Sequence, residues 1–206
     1  MLEEGQMNLI NFVGALRYQF DMMDHKWFLC FGTLLHFLRH DHEFNFKSDI
    51  DVGIIDDDGG VNLTGCVPIV RGQRGIIWEA SLPVGGIDVD VFIWRRRGGY
   101  YYHCYDEQHE RPANGMLSSY AYKGIPTSCF DPTQKEIQFY RGHPIWANMT
   151  KFGTWLHTVK GCEAESLQLP VPFNYGQCLD WWYPDWGIKR ENFGVSKSAH
   201  MIKGKW

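Results

Sequence analysis

The residues best suited to chemistry lie in the stretch from Gly32 to Asp51, which opens with a Gly-Thr pair and closes with two aspartates at alternate positions. Free N–H groups at a helix start attract phosphate, so Gly32 and Thr33, between an apolar run and a helix, predict a phosphate-binding turn. Because strand side chains alternate, Asp49 and Asp51 are expected to project from one face. Two such carboxylates repel each other unless a cation lies between them, and Mg²⁺ (or Mn²⁺) takes oxygen ligands. The stretch therefore predicts a metal site that handles phosphate.

A third candidate acid lies in the strongly alternating segment 86–94. Valine and isoleucine occupy one face of this predicted strand, and Asp88 and Asp90 share the other. An acid on a core strand is costly to bury unless it has a function or a partner. We assign Asp90 as the third catalytic carboxylate, with Asp88 in reserve. Asp90 is expected to ligate the metal or to accept the proton of an attacking hydroxyl.

Three polar residues on the helix after Gly32 have alternative interpretations. Arg39 is a candidate for binding donor phosphate, because a guanidinium matches phosphate oxygens in a bidentate manner. A surface salt bridge at the helix C-terminus explains Arg39 equally well. His36 and His40 have the four-residue spacing of zinc ligands, but the glutamate of a His-Glu-x-x-His motif is replaced by Phe37. A core or groove histidine is the favoured interpretation of His36.

The elements that position these residues follow from the apolar periodicity. A strand from Lys26 to Phe31 is expected to turn tightly at Gly32 into a helix capped by Thr33. The acids then belong to strands at Asp49–Ile55 and 86–94, and the chain as a whole predicts an α/β (α+β) fold. The remaining expected elements are a helix over 5–24, strands near 67–70, 75–82 and 135–140, a hairpin turn at Arg95–Gly99, and helices from Thr150 to about Lys160 and from Asn174 to about Trp182.

Length and composition favour one domain over 1–206, with a catalytic core at about 26–105 and a C-terminal part at about 135–187. The net charge of −4 provides no electrostatic reason to expect a nucleic acid partner. The six cysteines form no Cys-x-x-Cys pair, which favours free thiols in a reducing cytoplasm. No segment is long and apolar enough for a membrane span, and the acidic N-terminus is unlike a signal peptide. A cytoplasmic location is expected, although a truncated luminal domain would look the same.

The stretch from Gly32 to Asp51 resembles the signature of the LicD family, which includes the fukutin-related enzymes and belongs to the DNA polymerase β-like nucleotidyltransferase fold. The resemblance extends to a later Asp in a Val-Asp-Val-Phe strand, matched by Asp90, and to a closing pattern of prolines, a Tyr-x-x-x-Leu helix and aromatic residues. The matching positions are Gly32, Thr33, Leu34, Leu35, Arg39, His40, Asp49, Asp51, Asp90, 169–175, Leu179 and 183–186.

This resemblance implies a nucleotidyltransferase-like mixed β-sheet flanked by helices, with a small C-terminal helical part. It also implies a metal-dependent phosphotransferase that moves a phosphoalcohol, of the phosphocholine or ribitol-phosphate type, from a CDP-linked donor to a glycan hydroxyl. The chain departs from the family at His36, where glycine is usual, and at Lys47 and Ser48, where acids are usual. Two alternatives therefore stay open: a nucleotidyltransferase that uses an NTP on a small-molecule acceptor, and a catalytically silent relative that binds nucleotide or glycan.

Overall fold

A computed structural model of the protein describes residues 4–23, 25–46, 49–72, 75–103, 105–106, 111–112, 125–130, 139–140, 143–144, 148–149, 154–162, 167–183 and 186. Lys47 and Ser48, at which the chain departs from the LicD pattern, lie outside these residues, as does most of the predicted strand near 135–140. The helices are α1 (Glu4–Met22), α2 (Phe31–Arg39) and α3 (Tyr175–Trp182). The longer strands are β1 (Lys26–Leu29), β2 (Ile50–Asp56), β3 (Val67–Arg71), β4 (Ile77–Val84), β5 (Ile87–Arg97) and β6 (Tyr100–Tyr102).

Shorter strands and a second sheet follow β6. Their bounds are β7 (Tyr105–Asp106), β8 (Arg111–Pro112), β9 (Ile125–Pro126), β10 (Phe139–Tyr140), β11 (His143–Pro144), β12 (Asn148–Met149), β13 (Thr154–Thr158) and β14 (Gln168–Pro172), and a 3₁₀ turn covers Thr127–Phe130. Strands β12, β13 and β14 form a three-stranded antiparallel sheet. This sheet and α3 make up most of the described C-terminal part.

The central sheet has seven strands in the described part of the chain, and it mixes parallel and antiparallel pairs. Its main order is β1-β2-β5-β4-β3, and β6 joins β5 to β9. Strands β2 and β5 run parallel, whereas the other described neighbours in this sheet are antiparallel. The predicted mixed sheet flanked by helices is confirmed. The parallel pair matters most for function, because it carries the candidate acids.

The pattern of β5 shows how the sequence builds this sheet. Val89, Val91 and Ile93 are completely buried, while Asp88 is exposed and Asp90 is half-buried. This is the alternation expected for a strand with one apolar face. Strand β2 is more uniformly buried, as expected for a strand between two neighbours that also pairs in parallel. The two strands therefore lie at the centre of the hydrophobic core.

Helix α1 covers the sheet and confirms the helix predicted over 5–24. The ring of Phe20 on α1 stacks on the ring of Trp27 on β1, with the ring centroids 5.0 Å apart. Val13, Leu16 and Phe20 are completely buried, which is the one-sided pattern of a helix packed against a core. None of the described helices has the length and apolar character needed to cross a membrane.

The helix predicted from Thr150 to about Lys160 is wrong, because the structure has β13 at Thr154–Thr158 in its place. Strand β13 pairs antiparallel with β14 along its whole length. Threonine and tryptophan favour strands when a pairing partner exists, and periodicity in so short a segment does not separate helix from strand. The last predicted helix is confirmed as α3, where the Asn174 side chain accepts a hydrogen bond from the Gln177 N–H at 3.2 Å.

A histidine pair, with His157 buried and His42 half-buried, joins the second sheet to the segment after α2. The ring nitrogens His157 Nδ1 and His42 Nε2 are 3.0 Å apart, so one imidazole donates and the other accepts. The Lys160 N–H also donates to the His42 carbonyl oxygen at 2.8 Å. Burial, followed by the charge of His42, lowers the pKa of His157 to about 3. The His42–His157 hydrogen bond therefore depends on two neutral rings.

Replacement of Gly53 by alanine is expected to destabilise the protein by about 1–3 kcal/mol through overpacking. A methyl group there would meet the completely buried ring of Phe28, with Cε1 at 2.7 Å. Gly60→Ala is the matched control, because nothing lies within 4 Å of its added methyl. Urea unfolding of both variants checks the expectation, and equal midpoints would contradict the packing described here.

A fall in pH is expected to weaken the contact between His42 and His157. The pKa of His157 is about 3 in the folded state and near 6.5 in the unfolded state. The contribution of neutral His157 to the free energy of unfolding is therefore complete above pH 6.5. It is lost as pH falls from 6.5 towards 3, by up to about 1.4 kcal/mol per pH unit.

Urea unfolding between pH 7 and pH 5 should show a smaller loss of stability for His157→Phe than for the wild type. The remaining loss includes His103, whose pKa burial lowers to about 4. Val67→Thr, at a position that is 62% exposed and does not titrate, is the control, and the pH dependence of its stability should match that of the wild type. A His157→Phe profile parallel to that of the wild type would refute the expectation.

Candidate active site

The parallel pairing of β2 and β5 brings the second and third predicted acids, Asp51 and Asp90, side by side. Asp51 is the register partner of Asp90, and both side chains face away from the completely buried Val52, Val89 and Val91. Asp49 precedes β2 by one residue and is exposed. An Asp90 remote from Asp51, or turned into the apolar core, would have removed the basis for a shared site. The register places them together.

Helix α2 begins beside this pair, at a different residue from the one predicted. Strand β1 ends at Leu29, and α2 starts at Phe31, whose φ of 43° lies in the left-handed region that non-glycine residues rarely adopt. Aromatic packing on Phe92 and Trp182, with ring centroids 4.9 and 4.8 Å away, holds Phe31 there. A residue in so strained a backbone state costs about 1–3 kcal/mol and persists only when its surroundings impose it.

Gly32 and Thr33 consequently have roles other than those predicted for them in the turn. Gly32 is the second residue of α2 and does not form the tight exit from β1. The N-cap position is Cys30, which makes no side-chain capping bond, so the prediction that the Thr33 hydroxyl caps the helix is wrong. The reason is competition from β2, which offers the Thr33 hydroxyl backbone partners.

Thr33 fastens the start of α2 to Asp51. Its hydroxyl accepts from the Asp51 N–H at 2.8 Å and donates to the Asp49 carbonyl oxygen at 3.2 Å. The Thr33 N–H donates to Asp51 Oδ2 at 3.2 Å. Helix N-termini favour negative charge, so the first turn of α2 orients and stabilises the Asp51 carboxylate. The N–H groups predicted to bind phosphate are thus directed at Asp51, while phosphate binding by Gly32 and Thr33 stays a prediction.

The carboxylates of this site repel one another. Burial raises the pKa of Asp51 from 3.8 to about 7; backbone hydrogen bonds from Thr33 and Gly32 lower it, and the charges of Asp90 and Asp49 raise it. Burial also raises the pKa of Asp90, and the charges of Asp49 and Asp88 act in the same direction. The three predicted acids are therefore close enough to influence one another's charge. A bound cation or proton between them would relieve this repulsion.

Sequence reasoning missed two neighbours of the acids. Glu79 on β4 lies diagonally from Asp90, since Glu79 pairs with Phe92 and Ser81 pairs with Asp90. Burial and the charge of Asp90 raise the pKa of Glu79. Cys30 is completely buried next to the pair, and burial, Asp51 and Asp90 raise its pKa well above the usual value. An acid inside the predicted strand 75–82 was the available signal for Glu79.

Arg39 lies at the far end of α2, about 10 Å along the helix axis from Gly32. Its Nε donates to the Trp186 carbonyl oxygen at 2.7 Å, which fastens the C-terminal part to α2. This contact is neither of the two roles considered from the sequence, and phosphate binding by Arg39 stays a prediction. His36 and His40 stack with ring centroids 4.2 Å apart, as their spacing on one helix face requires.

The fit of a metal to this site rests on the chemistry of the donors. Within the described residues, no group of three or more His, Cys, Asp or Glu side chains is placed so that it could hold a metal ion. Mg²⁺, however, is usually held by one or two protein carboxylates and completes its shell with water and substrate phosphates. Asp51 and Asp90 supply two adjacent carboxylates whose mutual repulsion a cation would relieve. The donor pair fits Mg²⁺ in this manner.

Comparison with models of known protein families found no match, and comparison with curated proteins found none either. The LicD resemblance therefore rests on the motifs themselves. Asp51 and Asp90, which belong to separate parts of that resemblance, are neighbours in the sheet.

Asp51→Asn is expected to increase stability at pH 8 by about 1–3 kcal/mol, because it removes the cost of burying a charge. The pKa of Asp51 is about 7 in the folded state and 3.8 ordinarily, so its ionisation destabilises the fold as pH rises between these values. The extra stability of Asp51→Asn over the wild type should vanish near pH 4. Urea unfolding in chelator checks this, with the exposed Asp58→Asn as control, and a variant less stable at pH 8 would contradict it.

Proposed function

We propose that this protein is a metal-dependent transferase that moves a phosphoalcohol from a CDP-linked donor to a glycan hydroxyl. The observation that carries the proposal is the pairing of Asp51 with Asp90, fastened to the start of α2 through Thr33. The donor and the acceptor come from the resemblance to the LicD family. The chemistry comes from the carboxylates.

In the proposed reaction, an acceptor oxygen attacks the phosphorus that bears the alcohol. A new P–O bond forms to the glycan, the P–O bond to the nucleotide breaks, and CMP leaves. Asp90 ligates the metal or accepts the proton of the attacking hydroxyl, and the pKa that burial raises favours the second role. The first turn of α2 holds Asp51 in place, so its carboxylate needs no reorganisation during the reaction.

The metal belongs to the proposal as a cofactor of this site. Asp51 and Asp90 would hold Mg²⁺, with Asp49 kept as the further ligand predicted from the sequence. The bound ion would neutralise the pyrophosphate and the leaving nucleotide. The half-buried position of Asp90 limits access of water to the reacting groups. Gly32 is exposed and lies close to Asp51, since a Cβ added there would be 3.4 Å from Asp51 Oδ2, and this position supports approach of a donor phosphate.

The test is release of CMP from CDP-choline and CDP-ribitol in the presence of Mg²⁺ and mixed glycan acceptors. Asp51→Asn and Asp90→Asn are expected to lower the rate by at least about 100-fold, because each removes a proposed metal ligand. Asp58→Asn, at an exposed turn, should retain wild-type activity. Chelation of Mg²⁺ should abolish CMP release.

Two results would overturn the proposal. Release of pyrophosphate from an NTP, without release of CMP from either CDP-alcohol, would establish nucleotidyl transfer. Binding of CDP-choline that neither Mg²⁺ nor Asp51→Ala affects, without turnover, would establish a catalytically silent protein.

A further inference from the structure

We propose that Tyr100, Tyr102 and Trp181 form a platform that binds neutral carbohydrate. The three rings come from two elements, β6 and α3; those of Tyr100 and Trp181 are exposed, and that of Tyr102 is half-buried. The ring centroid of Tyr100 lies 6.0 Å from those of both Tyr102 and Trp181, at interplanar angles of 42° and 35°. This binding site is separate from the proposed catalytic function and does not depend on it.

The platform is exposed although aromatic residues are mostly used in the core of this protein. Tyr100 is 38% exposed and Trp181 is 39% exposed. The next residue, Trp182, is completely buried, with its ring centroid 5.8 Å from that of Trp94. Trp182 thus anchors α3 and leaves the neighbouring Trp181 at the surface. Rigid support beneath an exposed ring suits recognition, because little conformational freedom is lost on binding.

The β5–β6 hairpin fixes the other half of the platform. Tyr100 pairs with Arg97, and Tyr102 pairs with Arg95. Tyr100 and Tyr102 are two residues apart on one strand, so they share a face. Arg95 is itself held by Asp56, with Nη2 2.8 Å from Oδ2, and lies over the ring of Trp78. The strand that carries the two tyrosines is therefore anchored to the central sheet.

Charge and size favour a neutral sugar chain over other occupants. Two exposed residues of opposite charge lie next to platform residues: Arg97 is the register partner of Tyr100, and Asp180 precedes Trp181 on α3. Hydroxyl groups of a sugar can bond to both, whereas a nucleic acid would meet Asp180 and a protein with a net charge of −4. A stable protein partner needs about 800 Å² on each side, far more than three rings present. The apolar face of a sugar ring matches a flat aromatic side chain.

The platform lies at the far end of the sheet from the acids. Arg97 lies seven positions after Asp90 on β5, which corresponds to roughly 23 Å along the strand. A bound monosaccharide could not touch both places. The platform is therefore a holding site for carbohydrate, distinct from the place where the acids lie.

The test is native affinity electrophoresis of the full chain through gels that contain dextran, xylan, glucomannan or hydroxyethyl cellulose. Retardation of the wild type by at least one of these polysaccharides is expected. Tyr100→Leu and Trp181→Leu should weaken binding by about 10-fold, the loss of one ring contact. Trp181→Phe, which keeps a flat ring, should retain most of the binding.

Two controls separate this binding from other effects. Tyr18→Leu removes a tyrosine that is 67% exposed on α1 and should leave retardation unchanged. Asp51→Asn should also bind like the wild type, so a failure of the proposed transferase activity would not affect this result. Circular dichroism checks that each variant is folded.

The proposal is overturned if none of the four polysaccharides retards the wild type. It is also overturned if the two leucine variants migrate like the wild type, or if retardation by an oligothymidylate, and not by polysaccharide, depends on the three rings.

Discussion

The structure depends on a parallel pairing that places two carboxylates beside each other inside the fold. β2 and β5 join at the centre of the sheet, and their register makes Asp51 and Asp90 neighbours. Two negative charges on paired residues repel each other and oppose folding, and burial makes the charged form of Asp51 still less favourable. The surrounding core of valine, isoleucine and aromatic side chains supplies the stability that holds the pair together. A fold that maintains such repulsion is typical of a functional site.

The start of α2 is organised around the same pair. Phe31 adopts a left-handed backbone that buried aromatic rings impose, and the helix it begins directs N–H groups at Asp51. The hydroxyl of Thr33 bonds to the backbone of the strand that carries the acids. Strand, helix and carboxylate are thus connected as one unit, which is the preorganisation that electrostatic catalysis requires. Movement of α2 relative to β2 would release the carboxylate.

The C-terminal part contributes to this arrangement from outside the central sheet. Trp182 packs on Phe31 and Trp94, while Arg39 at the end of α2 donates to the Trp186 carbonyl oxygen. The His42–His157 pair makes a further connection to the second sheet. These contacts link residues more than eighty positions apart, so the geometry near the acids depends on distant segments. They also explain why Trp181, next to a residue so firmly held, remains fixed at the surface.

The sequence by itself determined the mixed architecture, the helices α1 and α3 and the alternation of β5, because apolar periodicity and capping residues are local signals. It also identified Asp49 and Asp51 as a pair on one face of a predicted strand, and Asp90 as an acid on a core strand, where burial needs a reason. Only the tertiary structure decided the register of β2 on β5, the partner of Thr33, the place of Glu79 beside Asp90 and the strand at β13, which periodicity predicted as helix. Each of these depends on which segment packs against which, and a side chain's partner across the sheet leaves no local trace in the chain.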